Sequence, residues 1–408
     1  MKLTAIIGKN FGDEGKGLAA DYFSMTAQKN GESCLVVRHN GGAQAGHTVD
    51  FPDRRFVFHQ LSSGSFRSAD TLWSDTFLPD LFKLREETES FFAIGGKIPK
   101  IYASKNCRCV IIDDVLINMA LETSRRENRH GSCGMGINEC VVRSETKYVL
   151  SLGRILSLTC EGLYNELRRI RKEYVPERLR ELKLSKNDLG EYGELLENDN
   201  VLYNAAEEMK RAECLIIPVN DLPKNYDRII FEGAQGLLLD ELNEDFAPHL
   251  TSSRTGIHNP AVFCRKYFPD QTLEAVYMTR SYVTRHGAGL LPYEGMLSSE
   301  LYPITDKTNM PNEWQGRMRT AVHGKPEEFS APVIKDISGN ENIIIPSLFI
   351  THLNETGGNI CTSEGDHELS DFFMSYNINE LFRQVYISSS PFGDEVRILS
   401  KNNKGAEK

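Results

Sequence analysis

Short runs of β-branched and other apolar residues recur along the chain: Leu3 to Gly8, Cys34 to Arg38, Arg55 to Leu61, Cys109 to Asp113, Ile229 to Gly233, Leu273 to Thr279, Ile343 to Ile350, Gln384 to Ser388 and Glu395 to Leu399. Several are apolar continuously rather than in alternation, as strands covered on both faces are. They predict an α/β fold with a large, mainly parallel central sheet flanked by helices. Between Glu161 and Asn200 the pattern changes. The segment is dense in charge, Leu163, Leu167 and Ile170 recur at helical spacing, and Pro176 should break or restart the helix. This predicts a helical excursion over 161–200 solvated at the surface, with a regulatory or partner-binding segment as the alternative. With no internal repeat or low-complexity linker, residues 1–400 read as one domain with helical insertions, and 401–408 as a frayed tail.

Composition narrows the function without naming it. With 40% hydrophobic and 25% charged residues, the 408-residue chain has ordinary globular proportions. A net charge of -10 argues against a nucleic-acid partner, which calls for a basic face, so any phosphate must be met by a local basic pocket. The apolar run at the amino terminus is too short for a signal segment, and no later run approaches the roughly 18 residues of a membrane span. A cytoplasmic protein without a membrane partner is expected. Nine cysteines, an odd number without CxxC pairs, read as reduced thiols. Cys107 and Cys109 would supply half of a zinc site, and no second half is present in the sequence.

The first candidate chemistry is the glycine-rich turn Gly8 to Gly17 (GKNFGDEGKG), between a strand-like run and Leu18, where a helix can begin. Strand, glycine turn and helix start together form an anion site, because free amides and the helix dipole point at the ligand. Gly12, Gly15, Lys16 and Gly17 are its phosphate-binding candidates, in a P-loop-NTPase-like setting. The turn departs from the standard P-loop: its first motif position falls on Asn10 and its last on Gly17, which has no hydroxyl for a metal. Asp13 is the nearest carboxylate that could hold Mg2+. Taken alone, the turn reads equally as a nucleotide site and as an ordinary glycine turn with a surface lysine.

A second cluster, Asn40 to Thr48 (NGGAQAGHT), tips that balance. A histidine on a glycine-flanked loop can stabilise charge on a transferred phosphoryl group or act as a general acid. The pair GDEGKG and GG-x-x-AGHT, about thirty residues apart, resembles the adenylosuccinate synthetases. That resemblance implies that Asp13 takes the N1 proton of a 6-oxopurine and helps bind magnesium, with the Gly46 carbonyl near the metal. It further implies that Lys16 contacts phosphate and that His47 stabilises the leaving phosphate. The chemistry is sensible, because a purine C6 oxygen leaves poorly until phosphorylated, and loss of the N1 proton makes it nucleophilic.

Further blocks follow in the family's order. Phe56 to Gly64 (FVFHQLSSG) matches a stretch in which His59 reads equally as functional or structural. Gly131 to Asn138 (GSCGMGIN) resembles the loop for the acceptor's 5′-phosphate, with Ser132 and Cys133 in place of threonines and Met135 in place of arginine. Arg143 matches an arginine that crosses a dimer interface to the neighbour's nucleotide, which implies a homodimer. Ile230 to Asp240 (IFEGAQGLLLD) places Gln235 at the acceptor nucleotide, and Thr251 opens a TSS motif as a phosphate ligand. Tyr282 to Glu294 (YVTRHGAGLLPYE) resembles Tyr-Thr-Thr-Arg-Val-Gly-x-Gly-Pro-x-Pro-Thr-Glu. In Gly316 to Thr320 (GRMRT), Arg317 and Arg319 would hold aspartate and the triphosphate, a use that suits the planar fork of arginine.

The departures fall on ligand contacts. Gln44 stands where asparagine is usual, Cys133 removes a hydroxyl, and Trp314 and Gln315 replace small hydroxyl residues. Thr351 to Asn354 (THLN) stands where the family has Thr-Lys-Leu-Asp, so the carboxylate that meets guanine N1 and N2 is replaced by an amide. Ser388 to Pro391 (SSSP) keeps the likeness of a purine-base contact. The resemblance therefore implies a ligase joining L-aspartate to IMP with GTP, or with ATP or dATP, and Mg2+. The alternative acceptor is GMP or dGMP, giving 2-amino-adenylosuccinate; viral relatives that use guanylate change the loop aspartate, and retention of Asp13 favours IMP. Two readings from other classes are an inactive nucleotide-binding sensor and a GTPase switch. Asp13, Lys16, His47, Gln235 and Arg317 argue against the first. The missing P-loop hydroxyl and guanine-reading aspartate argue against the second.

Overall fold

The computed structural model describes residues 1–125, 134–223, 225–304 and 316–399. Its strands are β1 (Lys2–Gly8), β2 (Cys34–Arg38), β3 (His47–Asp50), β4 (Arg55–Phe58), β5 (Asp70–Trp73), β6 (Ile101–Ser104), β7 (Ile216–Val219), β8 (Arg228–Gly236), β9 (Leu273–Arg280), β10 (Val283–Arg285), β11 (Arg319–Ala321), β12 (Ile344–Thr351), β13 (Ile360–Thr362), β14 (Gly365–His367), β15 (Val385–Ile387) and β16 (Arg397–Leu399). Ten of them form one sheet in the order β16-β15-β12-β9-β1-β8-β2-β5-β6-β7. Every neighbouring pair is parallel except β15 with the edge strand β16.

The continuous apolar runs are explained by cover on both faces. On one face Ile6, Val36, Ile230, Val276 and Phe349 pack against Leu18, Ala19, Ala20, Phe23 and Ala27 of helix α1 (Lys16–Lys29). On the other, Ala5, Ile7, Phe231 and Tyr277 meet Ala261 and Cys264 of helix His258–Tyr267 and Phe329 and Val333 of helix Pro326–Ile337. A one-residue slip in β1 would exchange these two sets, so its register is fixed by both layers.

Three sequence expectations change. Cys109 to Asp113 is not a strand: Cys109 and Val110 donate their amides to the carbonyls of Leu150 and Pro79, and helix Ile112–Ser124 begins inside the apolar run. Asp114 sets that helix start by accepting from the Ile111 amide at 3.0 Å. The run from Arg55 supplies β4, which pairs antiparallel with β3 outside the main sheet. The 161–200 segment is helical, and Pro176 opens helix Val175–Glu181, but the segment is not merely a solvated excursion. Leu163, Leu167 and Ile170 are fully buried in the same cluster as Trp73, Ile101 and Ile216 of β5, β6 and β7. Arg171 reaches from that segment to Asp113. The tail 401–408 lies outside the described residues.

Among the described residues no helix is long and apolar enough to cross a membrane. The described cysteines are free thiols.

Candidate active site

The carboxyl ends of the parallel strands β12, β9, β1, β8 and β2 bring the quoted motifs to one edge of the sheet, where ligands of open α/β sheets bind. The loop after β1 is held from within by Glu14, a residue the sequence alone did not single out. Its Oε1 accepts from the amides of Asn10 (3.0 Å) and Gly12 (2.9 Å), and its Oε2 accepts from Lys16 Nζ at 3.0 Å. Both partners of that ion pair are buried, at 2% and 4% exposure. The Lys16 ammonium is thus committed beneath the loop, and the groups left to face an anion are the first-turn amides of α1.

Neighbouring strands hold the same loop from outside. Arg280 Nε donates to the Asp13 carbonyl at 2.7 Å, and Thr351 Oγ1 donates to the Glu14 carbonyl at 3.0 Å. Asp13 has φ 62°, between Gly12 at 101° and Gly15 at 87°. The left-handed backbone at a non-glycine residue is strained, and here it aims a carboxylate into the cleft. That carboxylate is 32% exposed, with His286 Nε2 at 3.6 Å from Oδ2.

His47 is brought in by Gly17. A Cβ on Gly17 would lie 2.5 Å from the Thr48 carbonyl oxygen, so only glycine lets α1 approach β3 this closely. The imidazole is buried, with Nδ1 2.7 Å from Glu232 Oε1 on β8 and Nε2 without a hydrogen-bond partner among the described residues. Ser63 donates to Glu232 through both its hydroxyl and its amide, the latter at 3.1 Å. Burial alone would raise the Glu232 carboxyl, but His47, Arg38 and the Ser63 hydrogen bonds hold it below the ordinary carboxylate range. Burial pulls the His47 imidazole down to about 4 against the pull of Glu232. Burial thus favours the neutral imidazole, whose Nδ1–H then donates to Glu232. A phosphoryl dianion arriving at Nε2 would reverse this balance and favour the imidazolium.

Gln235 closes β8 with φ 64°, where the register between β1 and β8 shifts, and its side chain lies against Gly12. Gln44 folds over Gly41 and Gly42, its amide atoms without partners among the described residues. Ser252, next to Thr251, is 2.5 Å from Asn138 at the start of helix Ile137–Ser144, so the TSS motif sits beside the expected 5′-phosphate loop. Ser132 and Cys133 of that loop lie outside the described residues, as do Trp314 and Gln315. Gly46 is exposed beside His47. His59 is structural: its Nδ1 lies 2.7 Å from the Ala43 carbonyl and its amide donates to Glu87.

The family sequence model described as adenylosuccinate synthetase matches residues 5–321. The chain belongs to that family. Among its relatives, the adenylosuccinate synthetase of Thermosipho africanus is 29% identical over 297 residues, covering 71% of this chain and 66% of the relative. That of Thermoplasma acidophilum is 30% identical over 304 residues, covering 74% and 66%. The match thus spans just under two thirds of these relatives' length. The fold is shared with fully ligated adenylosuccinate synthetase from Plasmodium falciparum, with a TM-score of 0.71 at 19% identity over 98% of this chain and 100% of that one. It is shared also with cyanophage S-2L succinoaminodeoxyadenylate synthetase bound to dGMP and dATP, with a TM-score of 0.63 at 14% identity over 97% and 95%.

One expectation drawn from the synthetase motifs fails on geometry. Arg143 does not reach out toward a partner. It is fully buried, pairs with Asp114 through Nε and Nη2 at 2.8 Å each, and donates to the carbonyls of Tyr148 (2.9 Å) and Cys109 (2.8 Å). With its donors engaged inside its own chain it is a packing residue, and the case for a homodimer that rested on it falls away. The two other arginines sit differently. Arg319 is held by Glu294 and by the carbonyls of Gly287 and Gly289, while Arg317 is exposed.

The expected base contacts of this synthetase-family chain do meet. Ser388, after β15, receives the Leu353 amide at its carbonyl, which joins it to the 3-10 turn Leu353–Thr356 that carries Asn354. Asn354 is exposed there. Glu355, the next residue, accepts a hydrogen bond from the Tyr282 hydroxyl.

Proposed function

We propose that this protein is a ligase that joins L-aspartate to a 6-oxopurine nucleotide at the expense of a purine nucleoside triphosphate. The observation that carries this reading is a partly exposed Asp13 carboxylate on the loop whose Gly17 abuts His47, together with the buried His47–Glu232 pair, whose Nε2 has no hydrogen-bond partner among the described residues. Asp13 accepts the N1 proton, which turns the C6 oxygen into a nucleophile toward the terminal phosphorus. The His47 imidazolium, its Nδ1–H held by Glu232, donates Nε2–H to the transferred phosphoryl group and supports its departure as phosphate when the aspartate amine attacks C6. Gln235 and Thr251 hold the acceptor nucleotide, with Gln44, Ser132 and Cys133 completing its phosphate pocket. Gly15 and the first-turn amides of Lys16 and Gly17 hold the triphosphate with Arg319, the Lys16 ammonium and the Gly12 amide being taken by Glu14, and Arg317 receives the aspartate carboxylate.

The residues fit a magnesium ion. The Asp13 carboxylate is 32% exposed, and Gly46 is exposed in the loop that carries His47, a donor set that suits an ion otherwise held by water and phosphate oxygens. When bound, Mg2+ neutralises charge on the phosphates.

For the donor, the amide of Asn354 supports adenine. The exposed Asn354 amide offers one donor and one acceptor, which matches the edge of adenine and not the paired donors of guanine, and Glu355 is locked away. Asn354→Asp is expected to move the ratio of kcat/KM for GTP over ATP upward by about tenfold to a hundredfold, mainly through KM. An unchanged ratio would remove Asn354 from the donor site.

The reading as a whole is tested by incubating the protein with aspartate, magnesium, one of IMP, GMP or dGMP, and one of GTP or ATP, and looking for a succinyl-purine. Retention of Asp13 favours IMP on sequence grounds. Absence of product from every pair, with nucleotide binding intact, would make the protein a nucleotide-binding sensor instead.

A further inference from the structure

His286 stands where the family motif quoted above has valine, and it is the side chain that faces Asp13. Its Nε2 is 3.6 Å from Asp13 Oδ2, too long for a hydrogen bond. Both ring nitrogens are shut off from water and have no hydrogen-bond partner among the described residues. Native proteins seldom leave buried polar atoms unpaired, and an exception at a cleft points to a partner that arrives with a ligand.

The sheet order says which part of a ligand that is. Asp13 follows β1; His286 follows β10, a short strand outside the main sheet that begins three residues after β9, one neighbour of β1, whereas His47 opens β3 and its Nδ1 rests on Glu232 of β8, the other neighbour of β1. The two histidines thus come from elements tied to different neighbours of β1. In a 6-oxopurine, N1 lies between C6 and C2. With Asp13 at N1 and His47 at the C6 oxygen, as the ligase reading has them, His286 faces C2.

We propose that His286 reads the purine 2-position and that the acceptor is a guanylate, GMP or dGMP, rather than IMP. This rests on the assignment of Asp13 to N1 and deepens it. A neutral imidazole protonated at Nδ1 presents Nε2 as an acceptor. Asp13 and His286 then form two adjacent acceptors, which match the two adjacent donors of guanine, N1–H and the 2-amino group. Hypoxanthine carries only C–H at that position and would leave Nε2 unpaired, whereas the valine of the motif would accept C–H without loss. The preference drawn from Asp13 alone is reversed by its neighbour.

The test compares kcat/KM for GMP, dGMP and IMP in the wild-type protein, His286→Val and His286→Gln. The better guanylate is expected to exceed IMP by about tenfold to a hundredfold in the wild type. The advantage should vanish in His286→Val, chiefly through KM, and persist in His286→Gln, whose amide oxygen is again an acceptor. A wild type that prefers IMP, or a His286→Val ratio equal to wild type, overturns the proposal. Calorimetric binding of GMP and IMP to the same three proteins reads the same preference without turnover. A protein that makes no product yet binds GMP more tightly in a His286-dependent way would sink the ligase reading and keep this one.

Discussion

Asp13→Asn is expected to lower the rate of succinyl-purine formation by about 10²- to 10⁴-fold, the usual worth of a positioned general base. Asparagine is the informative replacement because it tolerates the left-handed backbone that Asp13 adopts at φ 62°, so the loop keeps its shape while the proton acceptor is lost. The thermal unfolding midpoint should stay within a few degrees of wild type. His47→Ala should cause a loss of similar size. Glu232→Gln should cause a smaller one, because the imidazole stays in place but loses the carboxylate that holds its Nδ1 proton and stabilises its cation. If Asp13→Asn retains wild-type turnover, the proton is taken elsewhere and the assigned chemistry is wrong.

The second large effect is on stability. Arg143→Met should destabilise the fold by about 3–5 kcal/mol, because Asp114 would be left as an uncompensated buried charge and the carbonyls of Tyr148 and Cys109 would lose their donors. Asp114→Leu added to Arg143→Met should recover much of that loss, since an apolar pair of similar volume replaces a buried ion pair at little cost. Denaturant unfolding of the single and double variants gives both numbers. An arginine that served a partner's nucleotide would behave otherwise: its loss would raise the acceptor KM or shift the oligomeric state and leave unfolding unchanged.

The sheet was legible where strands are long and covered on both faces, because continuous burial writes a continuous apolar run. The runs from Leu3, Cys34, Ile229, Leu273 and Ile343 all became strands of the main sheet. It was not legible in β5, β6 and β7, which have four residues each and read DTLW, IYAS and IIPV, too short for a period to show. Cys109 to Asp113 misled for the opposite reason: a buried apolar stretch can enter a helix as readily as a sheet, and the acid that caps the helix lay just past the run.

In the site, the sequence determined which chemical groups are present and in what order. GDEGKG, AGHT, FEGAQG and TSS are local motifs, and local motifs survive in a linear reading. What it could not determine is partnership across the chain. Glu232 meets His47 from 185 residues away, Arg280 holds the Asp13 carbonyl from 267, and Arg143 turns inward to Asp114 rather than outward. His286 was one letter in a degenerate motif until the fold set it 3.6 Å from Asp13. Such choices depend on which strands lie side by side and on where burial forces a polar group to find a partner, and neither is encoded by any short stretch of residues. The chemical groups were written in the sequence; their pairings were decided by the packing of the sheet.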